Sequence, residues 1–226
     1  NVHVNIYEKK WNLNLIKGNC PDIKEIDPSL PPAARSAARK TAGLKNILDK
    51  YKFKGVIAGI RRDEQGTRAK ERFFSPRDEE GTWDIKNQPP EFWDQFNTSY
   101  PSNIHLRIHP LLSWTELDIW QYILMENIKI PALYFSHKRP CFERDGVIMA
   151  KTDFVQTKAS EKIKDMQVRF RTIGDATCTG ATLSAADDLE KIIEEVAASR
   201  ITERGGRSDD KRSEAAMEDR KKEGYF

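Results

Sequence analysis

The stretch Gly55-Val-Ile-Ala-Gly-Ile-Arg-Arg-Asp-Glu-Gln-Gly-Thr-Arg-Ala-Lys-Glu-Arg72 decides the fold. It joins a short apolar run, Gly55 to Gly59, to a loop that carries four arginines and a lysine: Arg61, Arg62, Arg68, Lys70 and Arg72. The run predicts a buried strand. In an open α/β sheet, ligands bind outside the carboxyl ends of the strands, so fixed positive charge placed there predicts a polyphosphate or oxyanion site that includes Gly59. Arginine suits such a site because its planar fork grips phosphate or sulfate oxygens two at a time. The competing reading is a solvated loop whose cations pair with Asp63, Glu64 and Glu71. Against it stands the abrupt start of the charge run at the end of the strand.

Working outward, Ala37, Leu44, Ile47, Leu48 and Tyr51 fall at helical spacing and predict a helix over 34–51 that buries one face. Upstream, residues 2–11 read as a helix end, and Leu13 to Lys17 as a short strand stopped by Gly18. Residues 19–33, with four prolines, read as an irregular loop. Downstream, Phe73-Phe74 reads as extended, and 76–103 as an insertion studded with Trp83, Phe92, Trp93 and Phe96. His105 to His109 alternates like a strand. Ser113-Trp-Thr-Glu116 has the spacing of a capping box and predicts a helix from 114 to about 126, with Leu117, Trp120, Ile123 and Leu124 as its buried stripe. Val147–Ala150 and Val168–Arg171 read as strands, and Leu189–Ala198 as an amphipathic helix. The highly charged 200–223 has little to bury. Alternating strands and helices predict an α/β fold with a mainly parallel sheet over 1–175, and a C-terminal helix with a charged tail over 176–226.

Composition bounds the function. Basic residues exceed acidic ones by 38 to 35, so the net charge of +3 gives no reason to expect nucleic acid or a membrane surface as partner. Cys20, Cys141 and Cys178 are far apart and match no zinc or cluster spacing, which points to a reduced, cytoplasmic protein. No secretory signal or membrane-spanning run is visible. Asp63 and Glu64 are placed to orient the arginines or to help hold magnesium on a bound polyphosphate. Arg169 and Arg171 lie two apart on a predicted strand, and so share a face that is either solvent-exposed or a second cationic wall. His105 and His109 share a face but lack a third ligand, so no protein-held metal is expected.

These blocks resemble a family, the small, nucleotide-transferring subunit of the bacterial two-subunit sulfate adenylyltransferase (ATP sulfurylase). The resemblance rests on Arg61-Arg-Asp-Glu64, Arg68-Ala-Lys-Glu-Arg72, Trp83-Asp84 with Lys86-Asn-Gln88, and Trp114-Thr-Glu-Leu-Asp-Ile-Trp-Gln-Tyr-Ile123. It continues through Pro131-Ala-Leu-Tyr-Phe135, Val168-Arg-Phe-Arg-Thr172 and Gly224-Tyr-Phe226. It implies a Rossmann-like fold of the adenine-nucleotide α-hydrolase type, grouped with the phosphoadenylylsulfate reductases. It also implies a reaction in which sulfate attacks ATP, with Mg2+ and no tightly bound cofactor, to give adenylyl sulfate and pyrophosphate. A GTPase large subunit is the implied partner, with the charged tail as a docking element. Arg61, Arg62, Asp63 and Glu64 are then the catalytic group. Gly59, Arg68, Lys70, Arg72, Arg169 and Arg171 bind substrate oxyanions.

One feature of such enzymes is missing, a phosphate loop resembling Ser-x-Gly-x-Asp-Ser, which none of the twelve glycines builds. Together with the Asn start, this leads to the expectation that the chain lacks the first strands of the fold and is inactive alone. Two alternatives remain. One is a reductase of the same group, although no Glu-Cys-Gly motif follows Cys178. The other is a non-catalytic nucleotide-binding remnant.

Overall fold

The computed structural model describes residues 2–199 apart from Pro31 and Asp94, so the charged tail from 200 to 226 lies outside the described residues. The chain opens with helix α1 (Val2–Lys10), whose Tyr7 hydroxyl donates to the Lys129 carbonyl at 2.8 Å. Leu13 to Lys17, expected as a strand, is irregular. Leu13 is half exposed, and the segment hydrogen-bonds to no strand. It is followed by helix α2 (Pro32–Tyr51), in which Gly43 packs closely on the preceding loop. A Cβ there would meet the Cα and Sγ of Cys20 at 3.1 Å, so the preceding loop crosses the helix against bare backbone.

Strand β1 (Gly55–Ile57) follows, then the basic loop, then β2 (Phe74–Arg77) and β3 (His105–Ile108). These form a three-stranded sheet in the order β1-β3-β2, with β1 parallel and β2 antiparallel to β3. Helix α3 (Glu116–Met125) starts from a different cap than the sequence predicts. Thr115 accepts from the Asp118 N–H, and Asp118 accepts from the Thr115 N–H. Glu116 cannot close the Ser113 box because its buried carboxylate is taken by Arg171 and by Trp120 Nε1.

The second sheet contains β4 (His137–Arg144), β5 (Val147–Ala150), β6 (Lys164–Arg169) and β7 (Thr182–Leu183), in the order β5-β4-β6-β7 and antiparallel throughout. A mainly parallel sheet is therefore not what forms, since β1 with β3 is the one parallel pair among the described strands. The cause is local. Asp145 and Gly146 take φ values of 51° and 70°, the left-handed pair of a two-residue turn whose twist suits a β-hairpin. Helix α4 (Leu189–Ala198) packs on α3 through a core of Trp120, Ala186, Ile192 and Val196. Within 176–226, expected as a C-terminal helix with a charged tail, β7 pairs with β6 and α4 packs into this core. No helix among the described residues is long and apolar enough to cross a membrane.

Candidate oxyanion site at the end of β1

The loop leaves β1 stitched to its neighbours, with Ala58 N–H donating to Ile108 O at 2.9 Å and Arg62 N–H to Leu112 O at 3.0 Å. Ile60 is buried between these bonds. Beyond Ile60 the chain makes two 3-10 turns, Arg62–Glu64 and Gly66–Lys70, which fold the charged side chains back on one another. A Cβ added at Gly59 or Gly66 would meet nothing within 4 Å, so the backbone borders open space there.

The predicted cations divide into two groups. Arg61 and Arg68 are buried around carboxylates. Arg61 Nε donates to Asp63 at 2.9 Å and its guanidinium lies 3.7 Å from Glu64, while Arg68 Nε lies 3.2 Å from the other Glu64 oxygen. Glu64 also accepts the Arg61 N–H at 3.1 Å, and the second Asp63 oxygen accepts the Glu116 N–H at 2.6 Å. This is a framework that sets the loop's shape and fastens it to the start of α3.

Arg62 and Arg72 are held differently. Arg62 donates to the Glu71 carbonyl at 3.3 Å and lies over the Phe73 ring at 5.6 Å. Arg72 donates to the carbonyls of Pro89 and Lys70 at 3.3 and 3.4 Å. Neither reaches a carboxylate within ion-pair distance among the described residues, and both are only half buried. Their charge is held in place by neutral acceptors and remains available to an anion. Lys70 is exposed on the same turn.

Arg169 and Arg171 do not form a second cationic wall. Arg169 is fully buried and donates twice to Glu195 of α4, at 2.9 and 2.7 Å. Arg171 lies past the end of β6 and forks onto Glu116. The ion pair of Arg171 nevertheless continues the loop's framework, because the Glu116 N–H is the donor to Asp63.

Beneath the loop lies a cluster that the sequence reading passed over. Arg77 and Arg107 are almost completely buried on β2 and β3 with Glu71 and His109, and Glu71 lies 3.8 Å from Arg77 and 3.9 Å from the His109 ring. His109 Nδ1 is 2.8 Å from the Arg72 carbonyl, so the cluster also fixes the backbone at Arg72. Burial lowers Arg77 to about 10, opposed by Glu71 and reinforced by Arg107. Burial likewise lowers Arg107 to about 10. Both still carry their charge at neutral pH, with Glu71 and Asp78 opposing the effect of burial on Arg77 and Glu71 opposing it on Arg107. The signal was present in the sequence. Arg107 lies midway between His105 and His109 on one strand face, and a charged residue inside a strand that short is either paired or functional.

Fold and loop together define an α/β protein with an arginine-rich loop at the carboxyl end of a strand. The model of the phosphoadenosine phosphosulfate reductase domain matches residues 6–181, and the chain belongs to that family. It is similar to the sulfate adenylyltransferase subunit 2 of Mycolicibacterium gilvum (strain PYR-GCK), with 50% identity over 188 residues, 83% of this chain and 61% of that protein. The protein of the same name from Mycolicibacterium vanbaalenii is also 50% identical, and that from Mycobacterium tuberculosis (strain ATCC 25177 / H37Ra) is 47% identical, with the same coverage. The chain spans about 61% of the length of these curated relatives.

Proposed function

We propose that the protein is a sulfate adenylyltransferase subunit that joins sulfate to the adenylyl group of ATP. The observation that carries this reading is the pair of half-buried arginines, Arg62 and Arg72, held by backbone carbonyls rather than carboxylates at the carboxyl end of β1. The relatives' name supplies the reaction. A sulfate oxygen attacks the α-phosphorus, a new P–O bond forms, and the bond from that phosphorus to the β-phosphate's bridging oxygen breaks. Its electron pair leaves with pyrophosphate. Two polyanions must approach for this to happen, and fixed cations offset their repulsion.

In this reading Arg62, Arg72 and Lys70 hold oxyanions. Arg61, Asp63, Glu64 and Arg68 are positioning residues that set the loop. Asp63 and Glu64 are a poor magnesium cage, since their oxygens already accept from Arg61, from the Glu116 N–H and from the framework around Arg68. Magnesium enters on the phosphates of its ATP complex. The "subunit 2" of the relatives' name supports a partner subunit, which we assign as a GTPase, with the basic and acidic tail after residue 200 as its docking element. We place the protein in the cytoplasm, a reducing compartment that suits its three free cysteines.

The family model's description keeps a reductase reading in view. That chemistry needs a reactive thiolate. Cys141 is fully buried, and burial pushes its thiol up, away from the thiolate form, while the more accessible Cys20 and Cys178 stand in no Glu-Cys-Gly motif.

Charge reversal, Arg62→Glu, in the full natural protein with its partner tests the proposal. Loss of one charge-assisted contact, worth about 1.5–3 kcal/mol, predicts an activity loss of at least about 10- to 150-fold with the fold retained. Wild-type adenylyl sulfate synthesis by the folded variant would sink the assignment.

A further inference from the structure

Residues 83–91, between β2 and β3, form a strap that bonds to residues 70–74 at the end of the basic loop. Gln88 Nε2 donates to the Lys70 carbonyl at 3.0 Å, and the Pro89 carbonyl accepts from Arg72 Nε at 3.3 Å. The Glu91 carboxylate accepts from the Phe73 and Phe74 N–H groups, one on each oxygen, at 2.8 and 2.9 Å. The strap is rooted at its start. Trp83 is 2% exposed and lies beneath the Arg77 guanidinium, 5.1 Å from its ring centroid, and its Nε1 donates to Gln88 Oε1 at 3.2 Å. An indole N–H only donates and a carbonyl only accepts, so a single orientation of the Gln88 amide serves both contacts.

These bonds converge on Arg72. Its guanidinium donates to Pro89, and the peptide that joins it to Phe73 donates to Glu91. Pro89 and Glu91 lie two residues apart, so one short stretch fixes both the backbone and the side chain of Arg72. Of the strap's contacts the Glu91 pair is the strongest, because a hydrogen bond to a carboxylate is about twice as strong as a neutral one. Glu91 makes no contact with the Arg72 guanidinium within ion-pair distance among the described residues, so it orders the arginine without neutralising it. An arginine fixed before its ligand arrives loses less side-chain freedom on binding than one on an open loop.

We propose that Glu91 is a positioning residue for anion binding by the basic loop, acting through Arg72. This rests on the reading of Arg72 as an oxyanion contact. Inorganic sulfate and pyrophosphate, titrated separately by calorimetry into the full natural protein with its partner, are the probes. Arg72→Ala weakens binding of at least one of the two anions by about tenfold or more, as loss of a charge-assisted contact does. Glu91→Ala weakens the same anion by about tenfold, because Arg72 is then displaced from its working geometry. Glu91→Gln keeps one acceptor and recovers part of that loss. In the Arg72→Ala background, Glu91→Ala adds less than about a further twofold, since the contact it supported is already gone. Melting curves establish that each variant is folded, and Glu91→Gln stands in for Glu91→Ala if the alanine variant is not. If Arg72→Ala leaves both anions unaffected, the oxyanion reading falls and this inference with it. If Arg72→Ala weakens an anion while the folded Glu91 variants bind it like wild type, or weaken it by the same factor with and without Arg72, this inference is overturned and the oxyanion reading stands.

Discussion

Glu64→Gln separates the loop's framework from its ligand contacts. The Glu64 carboxylate accepts the Arg61 N–H at 3.1 Å and lies 3.7 Å from Arg61 Nη1 and 3.2 Å from Arg68 Nε. The three side chains are 8%, 4% and 9% exposed for Arg61, Arg68 and Glu64, so water cannot replace the lost charge. Removing one partner of a buried ion pair costs about 3–5 kcal/mol. Here the loss is smaller, because Arg61 keeps Asp63 at 2.9 Å and glutamine retains a carbonyl acceptor. About 2–3 kcal/mol remains, and at ~2–4 °C per kcal/mol for a chain of this size Tm falls by about 4–12 °C. Calorimetry and urea denaturation at neutral pH measure it, with the wild type as reference. A Tm within about 2 °C of wild type would show that Glu64 does not hold the two arginines.

Three further outcomes test other parts of the structure. Glu195→Ala leaves the fully buried Arg169 without its carboxylate; because Glu195 is about one-third exposed, water recovers part of the loss, and the expected cost is about 1–3 kcal/mol in urea denaturation. Thr115→Ala removes the cap of α3 and costs about 1 kcal/mol, while Ser113→Ala costs almost nothing; the reverse order would restore the Ser113 box. Burial alone would raise Asp175, but hydrogen bonds from Lys40 and Thr177 outweigh it and hold the carboxyl at about 2, below an unfolded value near ~3.9. Its folded pKa is depressed, so its contribution is present above about pH 4 and is lost as pH falls toward 2. Asp175→Asn should therefore flatten the stability profile in that window, and an unchanged slope would contradict the pairing with Lys40.

The basic loop after β1 was legible because its signal is local, with an apolar run, a glycine and then dense charge in eighteen consecutive residues, 55–72. Helices α2 and α4 were legible for the same reason, since their apolar spacing lies within each segment. The roles of the individual arginines were not. Arg169 and Arg171 read as a bare cationic pair because the carboxylates that neutralise them, Glu195 and Glu116, lie 26 and 55 residues away. The cap of α3 moved from Ser113 to Thr115 for a related reason, as tertiary pairing claims Glu116 before a local box can use it. The antiparallel second sheet did have a local signal. Asp145-Gly146 is a hairpin mark followed by an apolar run, but the strand before it is mostly charged and carries Pro140, which obscured it. The cluster of Arg77, Arg107, Glu71 and His109 needed two separated stretches, 71–77 and 107–109, to meet, and only Arg107 on β3 hinted at it.

The most direct measurement is pyrophosphate release from the magnesium complex of ATP by the full natural protein with its partner, with and without sulfate. Release that depends on sulfate, with adenylyl sulfate formed in equal amount and both lost in folded Arg62→Glu, is the predicted result. Release that ignores sulfate, or thiol-dependent formation of sulfite in its place, would contradict the assignment of the β1 loop as the site of adenylyl transfer to sulfate.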